Sequence, residues 1–201
     1  MIPPLKPGAR LLRVDGPVIE TERLLLRPWR SADIAPNTAM LSDPGTARYI
    51  VPGGKPVATA LEGWRNAAVM AGHWALLGFG MFAVEQKSTG TYIGRVGPLS
   101  PPGWPGFEVG WGIAPEFRGQ GYAIEAARAS IDWVFATFEL DEIVHCIEST
   151  NTAPQAVARR LGARNDREID LFGKPADLWV TSRASWTLRR VGRFETEDDR
   201  D

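Results

Sequence analysis

The chain has 201 residues, 44% hydrophobic and 23% charged, which suits one globular domain with a full core and argues against wholesale disorder. Its 23 basic and 24 acidic residues leave a net charge of −1, so no strong field favours nucleic acid. The single cysteine, Cys146, excludes an intramolecular disulfide and a cysteine-built metal site, and fits a reducing compartment.

Residues 1–18 begin proline-rich and then carry a short apolar patch, Leu11, Leu12 and Val14, which reads as an extension packed on the surface or on a partner. Prolines stand where a signal peptide needs an apolar run, and no stretch reaches the roughly 18 apolar residues of a membrane helix. A soluble, cytoplasmic protein is expected. Glu20–Trp29 reads as the first strand, after which Ser31 or Asp33 can cap a helix to about Leu41. Asp43-Pro44-Gly45 reads as a turn, and Pro56 opens a helix over about Val57–Ala71 with Leu61, Trp64, Ala68 and Ala71 on one face.

Three strands follow in quick succession: GFGMFAVEQ, TYIGRVGPL and, after the loop SPPGWPG, a third beginning at Phe107. Their connections are too short for parallel crossovers, so they form an antiparallel meander. In the third, Phe107, Val109, Trp111 and Ile113 alternate with Glu108, Gly110 and Gly112 until Pro115 ends the ladder. Arg118-Gly119-Gln120-Gly121 leads into a long amphipathic helix to about Phe138, its inner face built on Ile124, Ile131 and Phe138 with Ala127, Val134 and Phe135. EIVHCIEST is a buried-looking strand, residues 152–161 form a helix ended by Gly162, and strands near 164–171 and 177–188 complete a domain spanning 19–190. The segment 191–201, ending in FETEDDRD, reads as a disordered acidic tail. The order predicts a mixed α/β sheet with helices on both faces.

A glycine-rich turn feeding a helix start gathers unpaired N–H groups and the positive end of the helix dipole at one spot, which suits a phosphate. By itself the turn is equally a plain loop. It lacks the G-x-G-x-x-G of a dinucleotide fold and the G-x-x-x-x-G-K-[ST] of a nucleotide P-loop, but it matches R-x-x-G-x-A. Arg118-Gly119-Gln120-Gly121-Tyr122-Ala123 resembles the pyrophosphate-binding motif of the GNAT superfamily of acetyl-CoA-dependent N-acetyltransferases. The likeness is nearest to its ribosomal-protein N-terminal acetyltransferase (RimJ/RimL-like) branch. ETERLLLRPW resembles that branch's opening strand, GFGMFAVEQKSTGTYIGRVG its central hairpin, and NTAPQAVARRLGA its second cofactor helix, in the right order over about 19–190.

The resemblance implies a GNAT fold: a mostly antiparallel twisted sheet in which the Phe107–Ile113 strand and the EIVHCIEST strand splay apart. The pantetheine arm of acetyl-CoA would lie in the gap. Trp111 and Ile113 would line or bond pantetheine and the acetyl group, N–H groups from Gly119 to Ala123 would hold the pyrophosphate, and Asn151 would reach in from the other side or cap its helix. The implied reaction is direct attack of a primary amine on the thioester. It needs a base and an oxyanion donor; an N–H near Ile113 could serve as the donor.

Glu108 is the first candidate base, with a structural strand carboxylate as the competing reading, and a bulge would turn it to the other face. Glu148 is the second. The chain departs from the family pattern at Pro154, where a Ser is usual, and at Ala158, where other branches carry a Tyr. That leaves the general acid open between water and Tyr92. Trp104 sits on a rigid loop where it could touch the acceptor, while Trp64, Trp133, His145 and Cys146 read as core. His73 and His145 have no metal-ligand spacing, so no metal is expected. The expected partners are acetyl-CoA and an amine acceptor, with no nucleic acid or membrane and with a homodimer left open. The competing functions are an acyl-CoA-binding sensor or interaction module that has lost catalysis, and an unrelated phosphate or nucleotide enzyme using the same turn.

Overall fold

The computed structural model describes residues 6–7 and 15–189. The expectations for Leu11, Leu12 and Val14 and for the tail from 191 lie outside the described residues. The strands are β1 (Ile19–Glu20), β2 (Leu24–Arg27), β3 (Phe82–Gln86), β4 (Thr91–Leu99), β5 (Glu108–Ile113), β6 (Glu142–Glu148), β7 (Arg164–Asp170) and β8 (Pro175–Ser182). They form one eight-stranded sheet in the order β1-β2-β3-β4-β5-β6-β8-β7, antiparallel throughout except where β5 meets β6.

The helices are α1 (Ile34–Ser42), α2 (Pro44–Ile50), α3 (Ala60–Leu77), α4 (Tyr122–Thr137) and α5 (Thr152–Leu161). α4 lies on one face, where Ala126, Ala127, Ile131 and Val134 pack on Leu24, Leu26, Val84, Ile93, Val109 and Ile113. α1 and α3 cover the other face, tied to β4 through Tyr92 Oη donating to Asn37 (3.1 Å) and Arg95 Nη1 donating to Asn66 (2.7 Å). A bulge opposite Val84 and Glu85 turns both Tyr92 and Arg95 to that second face.

Several elements differ from the sequence reading. Asp43-Pro44-Gly45 starts α2 rather than making a turn: the Asp43 carboxylate accepts from the Thr46 N–H (2.8 Å), and Pro44 takes the first helical position, where its missing N–H costs nothing. Those bonds to Thr46 hold the Asp43 carboxyl below its usual range. α3 runs six residues beyond Ala71 to a left-handed cap at Gly78, so β3 starts at Phe82. Its buried face is Gly63, Ala67, Met70, His73 and Trp74, whereas Leu61 and Trp64 are more than half exposed. Small residues let α3 approach α1: a Cβ on Gly63 would fall 1.9 Å from Thr38 Oγ1. The last strand ends at Ser182, and residues 183–189 are helical.

Candidate active site

β5 and β6 touch at one rung, Glu108 opposite Val144, where the Val144 N–H donates to the Phe107 carbonyl (2.9 Å). A regular parallel ladder would next join the Cys146 N–H to the Val109 carbonyl. Here each of those groups is taken by a side chain. The Cys146 N–H donates to Glu108 Oε1 (3.1 Å), and the Val109 carbonyl accepts from His145 Nδ1 (2.7 Å). The bond that would zip the strands is thus replaced at both ends, and the strands diverge. His145 is buried and bonded on its other nitrogen to Thr181 Oγ1 (3.0 Å); burial pushes its pKa down to about 4, so it stays neutral.

Beyond that rung the edge of β5 is open. The Ala114 N–H pairs with the Ile93 carbonyl on β4, so even-numbered residues bond toward β4 and odd-numbered ones away from it. Phe107, Val109 and Ile113 accordingly spend their carbonyls on Val144, His145 and Arg118 Nε. The same alternation turns the Trp111 backbone into the wedge. The Trp111 indole rests on His145 (centroids 5.0 Å apart), and its buried Nε1 has no hydrogen-bond partner among the described residues, a costly state unless something else fills the wedge.

A groove of about 500 Å3 runs from this wedge to the start of α4, lined by Trp111, Ile113, Arg118, Gly119, Gly121, Tyr122, Ala123 and Asn151 among others. The first intrahelical bond of α4 is Glu125 N–H to Gly121 C=O, which leaves the earlier N–H groups without helical acceptors at the positive end of the dipole. Gly119 and Gly121 have φ of +75° and +82°, so glycine is needed for backbone conformation as much as for clearance. Arg118 braces the turn: Nε donates to the Ile113 carbonyl (3.0 Å), and Nη2 donates to Thr46 Oγ1 on α2. The Tyr122 ring is buried, its hydroxyl accepting from Gln86 Nε2 (2.6 Å), so its backbone alone faces the groove's turn; Gln120 is exposed beside it. Asn151 makes no capping bond to α5, which removes capping as the account of its side chain.

A second cavity of about 190 Å3 adjoins the groove, and Tyr49, Ile50, Trp111, Asn151 and Pro154 line both. Glu108 lies in its wall. The β4–β5 register is unbroken, so no bulge turns Glu108 away. Its carboxylate accepts from the Cys146 N–H and from Trp104 Nε1, yet burial outweighs those bonds and pushes its pKa up to about 7. A buried carboxyl that titrates near neutrality beside an open cavity can take a proton from an ammonium.

Glu148, at the end of β6, also lines this cavity and accepts from Thr150 Oγ1 (2.8 Å). Tyr92 lines neither cavity and is buried against Asn37, and Ala158 is buried with Ile147, Ala163 and Trp179, so neither stands at the site. Residues absent from the sequence reading do reach it: Tyr49 and Ile50 from the unforeseen α2, and Arg95 and Met81 in the smaller cavity. The parity of β4 could have flagged Arg95 had the bulge at Ile93 been visible.

Residues 23–164, which include both walls of the wedge and the turn, match the acetyltransferase (GNAT) domain family. The chain is 31% identical over 104 residues to the protein YkkB of Bacillus subtilis (strain 168), a match that spans 51% of this chain and 60% of that relative. An acetyltransferase structure from Agrobacterium tumefaciens str. C58 is similar at 28% identity with a TM-score of 0.73, covering 88% of this chain and 100% of the other. RimL, a ribosomal L7/L12 alpha-N-protein acetyltransferase in complex with coenzyme A, shares the fold at 14% identity with a TM-score of 0.69, over 84% of this chain and 99% of that one. With its splayed β5–β6 pair and its open helix start, the chain belongs to the GNAT acetyltransferase family.

Proposed function

We propose that the protein transfers an acetyl group from acetyl-CoA to a primary amine. Coenzyme A lies along the larger groove, with its pyrophosphate on the N–H groups from Gly119 to Ala123 and its pantetheine between the backbone of Trp111 and Ile113 and the side chain of Asn151. The amine enters the smaller cavity. The observation that carries this reading is the meeting of the two cavities at Trp111, with Glu108 in the wall of the smaller one.

Glu108 takes the proton from the ammonium, and the freed nitrogen attacks the thioester carbonyl. A backbone N–H of the Trp111–Ile113 edge receives the oxyanion. The C–S bond then breaks as the nitrogen gives up its second proton to water, and coenzyme A departs as a thiolate, tolerable for a thiol of pKa about 8.5, which takes up a proton from the same water. Pro154 offers no hydroxyl for that last step, and this favours the second reading, a protein that binds acyl-CoA without turning it over.

Isothermal titration with CoA, ATP and NAD, followed by thiol release from acetyl-CoA with an amine panel, separates the outcomes. CoA binding with thiol release supports transfer. CoA binding without release on any amine supports the second reading, and failure to bind CoA refutes both.

A further inference from the structure

The smaller cavity contains a second charged group that the transfer reading leaves unused. Arg95 is 5% exposed, and it lines this cavity together with Glu108, Met81, Leu99, Gly110 and Trp104. Among the described residues it makes one hydrogen bond, from Nη1 to the Asn66 amide oxygen (2.7 Å), and no ion pair. Asn66 is held in turn by Asn37 Nδ2 (3.2 Å), so the head group is aimed by neutral partners that add no negative charge.

A neighbouring arginine shows what this fold does with a buried guanidinium that has no ligand to meet. Arg27, Ala83 and Arg95 lie in register across β2, β3 and β4 on the same face. Arg27 is equally buried but carries two carboxylates: Asp33 takes Nη1 and Nη2 (2.8 Å each), and Glu85 takes Nε (2.7 Å). A buried cation without a counter-ion is costly, so Arg27 shows the neutralised state and Arg95 an incomplete one. Desolvation accordingly pulls Arg95 below its ordinary pKa.

Between Arg95 and Glu108 the sheet carries no β-carbon on this face, and Met81 lies beside both intervening glycines. The register pairs Arg95 with Gly112, Gly97 with Gly110, and Leu99 with Glu108, so on this face a glycine pair separates the two charged side chains. Their Cα positions stand four residues apart along the sheet, about 13 Å at ~3.3 Å per residue. That Cα spacing is of small-molecule length, between a cationic and an anionic residue that line one cavity.

We infer that the acceptor is a small amine bearing its own carboxylate, an amino acid in general form, whose carboxylate pairs with Arg95 while its ammonium faces Glu108. The assignment rests on the transfer reading for the role of the cavity. A single guanidinium matches a monoanion, and a cavity of about 190 Å3 suits a free amino acid better than a folded protein's terminus.

The test offers the full chain acetyl-CoA with each common L-α-amino acid and, separately, its α-amide, and follows thiol release. The amide's amine is the less basic and is more often unprotonated at neutral pH, so a preference for the acid must come from recognition. At least one acid should exceed its amide by about tenfold or more in kcat/KM, mainly through KM. Arg95→Gln should level that pair by raising KM for the acid while leaving CoA affinity unchanged; Arg95→Lys should keep part of the preference. Equal use of acids and amides, or a preference that survives Arg95→Gln, overturns the assignment. Should no amine release thiol, the transfer reading fails by itself, and titration of the same acids and amides into CoA-saturated protein decides the binding question. There, an acid that binds more tightly than its amide upholds the carboxylate site, and none doing so overturns it.

Discussion

Glu108→Gln tests the wedge without knowledge of the acceptor. Burial raises the Glu108 pKa from 4.5 to about 7, so between those values the folded carboxyl holds a proton that the unfolded one has lost. The group's stabilising contribution is therefore fully present below about 4.5 and is lost as pH rises through about 7. A shift of this size corresponds to about 3 kcal/mol at ~1.4 kcal/mol per unit. Glutamine is neutral at every pH and removes that dependence. It also places an amide N–H against one of the two donors, Cys146 N–H or Trp104 Nε1, a roughly pH-independent cost of about 1–3 kcal/mol. Urea unfolding followed by tryptophan fluorescence from pH 4.5 to 8 should show wild type losing about 3 kcal/mol relative to the variant, mostly below pH 7. Parallel curves would refute the buried-carboxyl argument, and with it the reason for expecting a base near neutrality. Once an acceptor is found, the same variant should lose more turnover at neutral pH than at high pH, where the amine is already free.

Two further substitutions probe the groove and the packing behind it. Gly121→Glu forces a side chain into φ +82°, a strain of about 1–2 kcal/mol, and sets a negative charge on the turn, so CoA binding measured by isothermal titration should be abolished; unchanged affinity would contradict the phosphate placement. Gly63→Ala should destabilise by about 1–3 kcal/mol, because its Cβ would fall within 2.7 Å of the Thr38 side chain, and Thr38→Ala in the same chain should recover only part of it, since the Thr38 Cβ remains; an unchanged melting temperature would show that α1 and α3 do not meet there.

Strand alternation, turn residues and the Arg118–Ala123 pattern were enough to find the antiparallel meander of β3, β4 and β5 and the helix start that follows it. β4 and α5 fall where the sequence reading puts them. What escaped it has physical reasons. Asp-Pro-Gly serves a turn and a helix start equally well, because Asp caps and Pro tolerates both, and whether the chain continues in α2 depends on tertiary contacts such as Arg118 to Thr46. On α3 the large apolar residues suggested the inner face, but close approach to α1 selects the smallest residues, Gly63 and Ala67, and leaves Trp64 outside. Arg95 was hidden because one extra residue at Ile93 shifts the face of everything after it, and a bulge leaves no mark in alternation read from a single strand. Glu108 and Trp104 were both singled out, but their bond required knowing how the Pro/Gly loop folds back on β5.

The two side chains that keep β5 and β6 apart titrate in opposite senses. His145, neutral in the fold with a pKa pushed down to about 4 by burial, contributes stability that is present above its ordinary 6.5 and lost as pH falls toward 4. Glu108 contributes stability that is lost as pH rises toward 7. Between about 4.5 and 6.5 the two slopes have opposite sign and similar size, so the wild-type wedge should have a nearly flat stability curve in that window. His145→Gln leaves the Glu108 slope unopposed. It should be less stable than wild type at neutral pH, where the Val109 carbonyl and Thr181 hydroxyl lose their partner, and should recover about 3 kcal/mol relative to wild type as pH falls through the window. Urea unfolding at several pH values reads this directly, and a constant offset between the two proteins would show that the pair does not hold the wedge as described. Above pH 7 Glu108 is ionised, the form a base must have, and its stabilising share is gone. The ionised state is then the less stable one, with the splay held by a charged carboxylate on a backbone N–H and an indole, so the proposed base role of Glu108 and the splay of the strands are read out by the same few atoms.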